Sequence, residues 1–234
     1  MIEHEITEFD GHMLVNLYEG RFLVDTGSPT SFARGERVSF GGEAEDVADS
    51  AMGMLDADTL SHYVGTYLDG LLGMDILGRH RLTFIRDKLF VGDGTVEDGA
   101  GMPIREKSLI ALDTGDFMGI QVVSIYVNKR LVRMFVDTGA KISYLDASML
   151  SEFQSEETLH DFYPGVGEFD VGVSTVWADL NGWPFQAKFG RLPPLLQTTL
   201  MMGGVDGILG RDLFTSYFIR IERGGKPVSF VPHI

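Results

Sequence analysis

No cysteine occurs among the 234 residues, so disulfides, thiolate nucleophiles and cysteine-based metal centres are excluded from the start. Basic residues are scarce too: 19 Lys and Arg against 34 Asp and Glu give a formal net charge of −15. A chain that holds nucleic acid or an anionic membrane surface needs a basic patch, and the sequence shows none. Partners with basic or neutral surfaces stay open. No apolar run approaches the roughly 18 residues that span a bilayer. The start, Met1-Ile2-Glu3-His4-Glu5, is acidic and lacks the basic segment and apolar core of a secretory signal. The expectation is a soluble, cytoplasmic protein. Six histidines are scattered without an i, i+4 pair, so no metal site and no cofactor is expected.

What is present points to a folded, turn-rich chain. Hydrophobic residues make up 44% and charged residues 23%, as in ordinary globular domains. Glycine, with 29 copies, exceeds the roughly 7% of average usage. Short β-branched and aromatic runs end at glycines or at turn pairs such as Asn181-Gly182, a pattern of strands and hairpins. Two helical stretches are expected, one within 44–64 and one over 147–153 behind Asp146 as an N-cap. The acidic residues from Glu43 to Asp58 read as a solvated face, because they lack the spacing of a calcium loop.

The chain repeats itself. Residues 22–28 read Phe-Leu-Val-Asp-Thr-Gly-Ser, and residues 134–140 read Met-Phe-Val-Asp-Thr-Gly-Ala. Each is followed by a second matched segment, Asp69-Gly70-Leu71-Leu72-Gly73 and Asp206-Gly207-Ile208-Leu209-Gly210. Two signatures in the same order in each half imply an internal duplication. The acidic, glycine-rich stretch 92–103 reads as a linker, giving halves of 1–102 and 103–234. A third copy, Asp113-Thr114-Gly115, has no second signature of its own and reads as a surface turn.

In both matched copies an aspartate ends an apolar strand, and a glycine two residues on permits a tight turn that presents the carboxylate. If the halves pack about a pseudo-twofold axis, Asp25 and Asp137 meet, while Thr26 and Thr138 can hydrogen-bond across the axis. Two carboxylates about 3 Å apart cannot both ionise, so they share a proton. One can then act as general base towards a water while the other donates to a carbonyl oxygen.

With these paired motifs the sequence resembles the aspartic peptidases, pepsin-like and retroviral-type. The resemblance covers both halves and rests on hydrophobic-Asp-Thr-Gly-Ser/Ala followed by hydrophobic-hydrophobic-Gly. It implies an all-β fold with few short helices, in which two β-barrel lobes are related by a pseudo-twofold axis. It also implies peptide hydrolysis by an Asp25/Asp137 dyad. Gly27 and Gly139 would help hold the water, Thr26 and Thr138 would lock the loops, and Ser28 would hydrogen-bond the aspartate of its own lobe, with Ala140 in its place in the second. Both motifs lie in one chain, so a monomer is expected, with a peptide or protein as substrate. The alternative is a catalytically inert, peptide-binding scaffold of the same fold.

The halves differ in length. From Asp25 to Gly73 is 48 residues, and from Asp137 to Gly210 is 73. The longer interval contains Phe162-Tyr163-Pro164-Gly165-Val166-Gly167-Glu168-Phe169, where glycines beside a proline suit a mobile hairpin tip. A single flap from the second half is expected, with Tyr163, Gly165, Val166 and Gly167 at its end.

Overall fold

Strand alternation and turn chemistry build two large sheets. The computed structural model describes residues 1–51, 55–97, 103–163 and 167–232. The first sheet has ten strands, in the spatial order Ile110–Ala111, Val228–Pro232, Tyr217–Ile221, Leu82–Ile85, Lys88–Val91, Ile2–Phe9, His12–Leu17, Gly20–Val24, Gly70–Leu72, Phe32–Ala33. The second has eight: Thr114–Phe117, Ile120–Val127, Arg130–Val136, Gly207–Leu209, Ser143–Leu145, Trp183–Arg191, Gly167–Leu180, Glu157–Tyr163. Tyr126 and Val127 also pair with Asp179 and Ala178, which folds the second sheet back on itself. The protein is thus mainly β, with a few short helices.

Three strands from beyond residue 103 lie in the first sheet. Tyr217–Ile221 pairs with Leu82–Ile85, and Val228–Pro232 and Ile110–Ala111 extend that edge. The halves therefore share backbone hydrogen bonds as well as side-chain contacts. One buried cluster runs from Val24 and Leu72 through Phe84 and Phe214 to Val136 and Leu209. Burying such side chains contributes about 1.5–3 kcal/mol each, so this continuous core is what fixes one half against the other.

The two matched segments of each half are neighbours in space for a simple reason. Gly70–Leu72 runs parallel to Gly20–Val24, and Gly207–Leu209 runs parallel to Arg130–Val136. Asp69 joins the first pair by accepting from the Arg21 amide at 2.9 Å, and Asp206 joins the second by accepting from the Arg133 amide at 2.8 Å. Close approach needs glycine at the start of each inserted strand. A Cβ on Gly70 would stand 2.1 Å from the Phe32 carbonyl oxygen, and one on Gly207 would stand 2.2 Å from that of Tyr144.

Three local expectations change. The helix expected within 44–64 is confined to Ala57–Val64, capped by Asp56, which accepts from the Thr59 amide at 2.7 Å. Upstream, Arg37–Phe40 and Glu43–Asp46 form a hairpin, because Gly41 and Gly42 both adopt positive φ (63° and 88°) and make the tight turn that such hairpins require. The stretch after Asp146 is a single 3-10 turn, Ala147–Leu150, with Asp146 accepting from the Ser148 amide. The third Asp-Thr-Gly is not a turn. Thr114 opens the edge strand Thr114–Phe117, and the reversal comes at Met118-Gly119.

Candidate active site

Each aspartate leaves its strand where the partner strand still holds the backbone. The Asp25 amide donates to the Leu72 carbonyl and the Asp137 amide to the Leu209 carbonyl, both at 3.0 Å. The chain then turns back on its own carboxylate. Gly27 N–H donates to Asp25 Oδ1 at 2.9 Å and Gly139 N–H to Asp137 Oδ1 at 2.8 Å. Each loop also presses on the opposite carboxyl: a Cβ on Gly27 would stand 2.3 Å from Asp137 Cγ, and one on Gly139 would stand 2.6 Å from Asp25 Cγ. No side chain fits there.

Thr26 and Thr138 lie at the centre of this arrangement and are both fully buried. The Thr26 hydroxyl donates to the Val136 carbonyl (2.8 Å) and accepts from the Thr138 amide (3.0 Å). The Thr138 hydroxyl donates to the Val24 carbonyl (2.7 Å) and accepts from the Thr26 amide (3.0 Å). Four reciprocal bonds thus tie the loops together through both hydroxyls and both amides of the threonines. Ser28 departs from its expected role. Its hydroxyl donates instead to the Thr30 carbonyl at 2.9 Å, within its own loop, which uses its single proton.

The two carboxyls come within hydrogen-bonding reach of each other. Burial pushes Asp25 well above the ordinary carboxylate range, and the neighbouring Asp137 charge pushes it further. Burial raises Asp137 as well, against the pull of the Asp25 hydrogen bond and the amides of Gly139 and Ala140. Removing charge from water and placing like charges together both favour the protonated form. The pair retains a proton at pH values where isolated carboxyls have lost theirs.

A cavity of about 50 Å³ lies over the dyad. The first half lines it with Leu55 and Leu60, the second with Tyr144, Phe162, Tyr163 and Phe169. Tyr163 ends the strand Glu157–Tyr163, which pairs with Gly167 at the start of Gly167–Leu180. Its hydroxyl is held protonated by burial and by the nearby charges of Asp137 and Asp25. Gly165 and Val166 lie outside the described residues. One residue before Tyr163, the Phe162 ring stacks on Tyr63 of the helix Ala57–Val64, with centroids 4.7 Å apart and planes 12° from parallel. The hairpin from the second half thus reaches across to the first.

Several residues at the site were not singled out in the sequence. Ser31 and Ser143 each stand six residues after an aspartate and are buried. Their hydroxyls accept the amides of Gly73 (2.8 Å) and Gly210 (3.1 Å), pinning each second signature beneath its loop. The shared offset was a usable signal. His12, Tyr144 and Asp161 also face the cavity, and nothing in their local sequence marks them. The tip of the first hairpin, where Asp10-Gly11 makes a tight turn with positive φ at both residues, rests on the second half. Glu8 pairs with Arg211, and Asp10 with Lys141 at 2.6 Å.

No protein-family model matches the chain, and no curated protein matches it. Among solved structures it is similar to the simian foamy virus (mac) protease, at 15% identity over 39% of this chain and 88% of that one, with a TM-score of 0.30. It is also similar to a retropepsin-like aspartic protease from Rickettsia conorii, at 18% identity over 53% of this chain and 90% of that one, with a TM-score of 0.39. Both likenesses are loose, and the chemistry of the site rests on its own geometry.

Proposed function

We propose that the protein is an aspartic-type endopeptidase whose catalytic groups are Asp25 and Asp137. The observation that carries the reading is the meeting of two carboxyls from matched loops, Asp137 buried and Asp25 half-buried, close enough to share a proton at the floor of a largely apolar cavity. With one proton between them, the ionised carboxylate takes a proton from a bound water as its oxygen attacks the peptide carbonyl carbon. The neutral carboxyl gives its proton to the carbonyl oxygen. In the second step the diol returns a proton to the carboxylate that gave one, the C–N bond breaks, and the leaving nitrogen takes the proton held by the other. The dyad ends as it began. Thr26 and Thr138 hold the two loops in register, and the amides of Gly27 and Gly139 keep the carboxylates oriented.

The paired strands Glu157–Tyr163 and Gly167–Leu180 serve as a single flap from the second half, excluding water while the substrate is bound. Both motifs lie in one chain, so the working unit is a monomer, and we assign it to the cytoplasm. An internal duplication accounts for the repeated bonds around each aspartate.

The test is cleavage of a mixed peptide library. Asp25→Asn and Asp137→Asn should each lower turnover by at least about 10²- to 10⁴-fold, with folding retained, and Asp113→Asn should leave it unchanged. The wild-type rate should be bell-shaped in pH, with limbs that belong to the pair, the upper one above the range of an isolated carboxyl. Turnover that survives either dyad substitution removes the assignment. The stacked Tyr63 and Phe162 rings favour a second reading, an inert peptide-binding cleft held closed. Peptide binding with no cleavage by the wild type would select it.

A further inference from the structure

Beside the dyad lie two polar groups that the hydrolytic steps do not use. Asp161 is only 4% exposed. It accepts the Tyr144 hydroxyl on one oxygen and the Phe162 amide on the other, at 2.8 Å. Among the described residues no lysine or arginine pairs with it. Lys141, whose Nζ lies 3.4 Å from the carbonyl of His160, the residue before Asp161, is held by Asp10 at 2.6 Å. A buried carboxylate without a cation is costly, and such groups are ordinarily paired.

The second group is His12, at the start of His12–Leu17 and 1% exposed. Its Nδ1 lies 2.9 Å from the Gly139 carbonyl oxygen. A carbonyl can only accept, so Nδ1 carries the proton. Burial holds the ring below its usual range, against the opposing pull of Asp161, which leaves Nε2 a bare acceptor. Nε2 is buried and has no hydrogen-bond partner. One cavity therefore contains a buried acceptor without a donor, His12 Nε2, and a buried carboxyl without a cation, Asp161, with the aromatic rings of Phe162 and Phe169 beside them. An alkyl stem bearing a cation would satisfy all of these features: the head meets the acceptors and the stem meets the rings.

We propose that His12 and Asp161 form a subsite beside the dyad that takes the side chain of a lysine or arginine in the peptide substrate. The subsite presupposes the peptide cleft described above, and it names the substrate class that the cleft prefers. The net charge of −15 would steer basic segments towards the protein in general, but only the subsite makes the position of the cation matter.

Binding and cleavage test the two readings separately. The full-length Asp25→Asn protein is titrated, by fluorescence anisotropy, with labelled peptides that differ only in one central residue: lysine, arginine, norleucine or glutamate. Lysine and arginine should bind roughly 10- to 100-fold more tightly than norleucine, and glutamate more weakly than any. Moving the lysine to the peptide terminus should abolish most of that advantage. Asp161→Asn and His12→Phe, each added to the Asp25→Asn background, should reduce it to within about threefold. Equal binding of central lysine and norleucine overturns the subsite, and needs no further variant. So does an advantage that is independent of lysine position, or one that survives both substitutions in folded protein. Selective lysine binding without cleavage by the wild type supports the subsite and overturns the endopeptidase reading. Cleavage without basic preference does the reverse.

Discussion

Around their aspartates the two halves repeat the same bonds; above the cavity only the second sends a long hairpin across to its partner. Both use the same amide donors to the carboxylate, the same threonine exchange and the same serine beneath the loop. Above the dyad, the first half offers a short helix, Ala57–Val64, and small strands. The second offers a hairpin whose longer strand runs from Gly167 to Leu180. The bonding at the floor must repeat, because two carboxyls meet symmetrically only if both loops have the same shape. The cover need not repeat. One arm long enough to cross the cleft makes a second redundant, and the Tyr63–Phe162 stack is where the crossing ends.

The symmetric part of this comparison can be broken at the threonines. Thr26→Val and Thr138→Val each strand a buried amide and a buried carbonyl, so each should cost roughly 2–4 kcal/mol, measured by urea unfolding. The two costs should agree closely. Unequal costs would mean that one loop carries the other.

The asymmetric part should yield to smaller changes. Tyr63→Ala and Phe162→Ala each remove a stacked ring worth about 0.5–1.5 kcal/mol beyond its buried area. Each should raise KM for peptides more than it lowers kcat, if the stack closes the cleft over substrate. A double-mutant cycle should show the two effects to be non-additive.

Ionisation of the dyad should cost stability in a definite direction. An acid whose folded-state value is raised contributes stability that is present below its unfolded value and lost as pH rises through the folded value. Asp25 is raised by burial first and by Asp137 second, so Asp25→Asn should raise Tm at neutral pH. The gain should be roughly 2–4 °C for each kcal/mol relieved, and it should vanish in acid, where the wild-type carboxyls carry their protons. A gain that persists at low pH would point to a cause other than charge. The smallest expected effect is none: specific activity should stay constant on dilution, since both halves belong to one chain, and a fall that tracks dissociation in the ultracentrifuge would contradict a monomer.

The dyad was legible because tight backbone turns leave a local mark. Asp-Thr-Gly is contiguous, its glycine is demanded by the opposite carboxyl, and the paired Leu71-Leu72-Gly73 and Ile208-Leu209-Gly210 segments are contiguous too. Strands were legible through alternation and turn pairs, as at Asn181-Gly182, where both residues take positive φ (55° and 95°). The helix expected across 44–64 misled because apolar spacing at Val47 and Leu55 fits more than one structure, while Gly41-Gly42 set a hairpin. The sequence by itself determined the repeated loops, the catalytic candidates and the β class. Only the tertiary structure decided that His12, Asp161 and Tyr144 share a cavity, that Phe162 finds Tyr63, and that Tyr217–Pro232 completes the first sheet. These are contacts between residues far apart in the chain, chosen by which surfaces the common core brings face to face, and no local pattern records that choice.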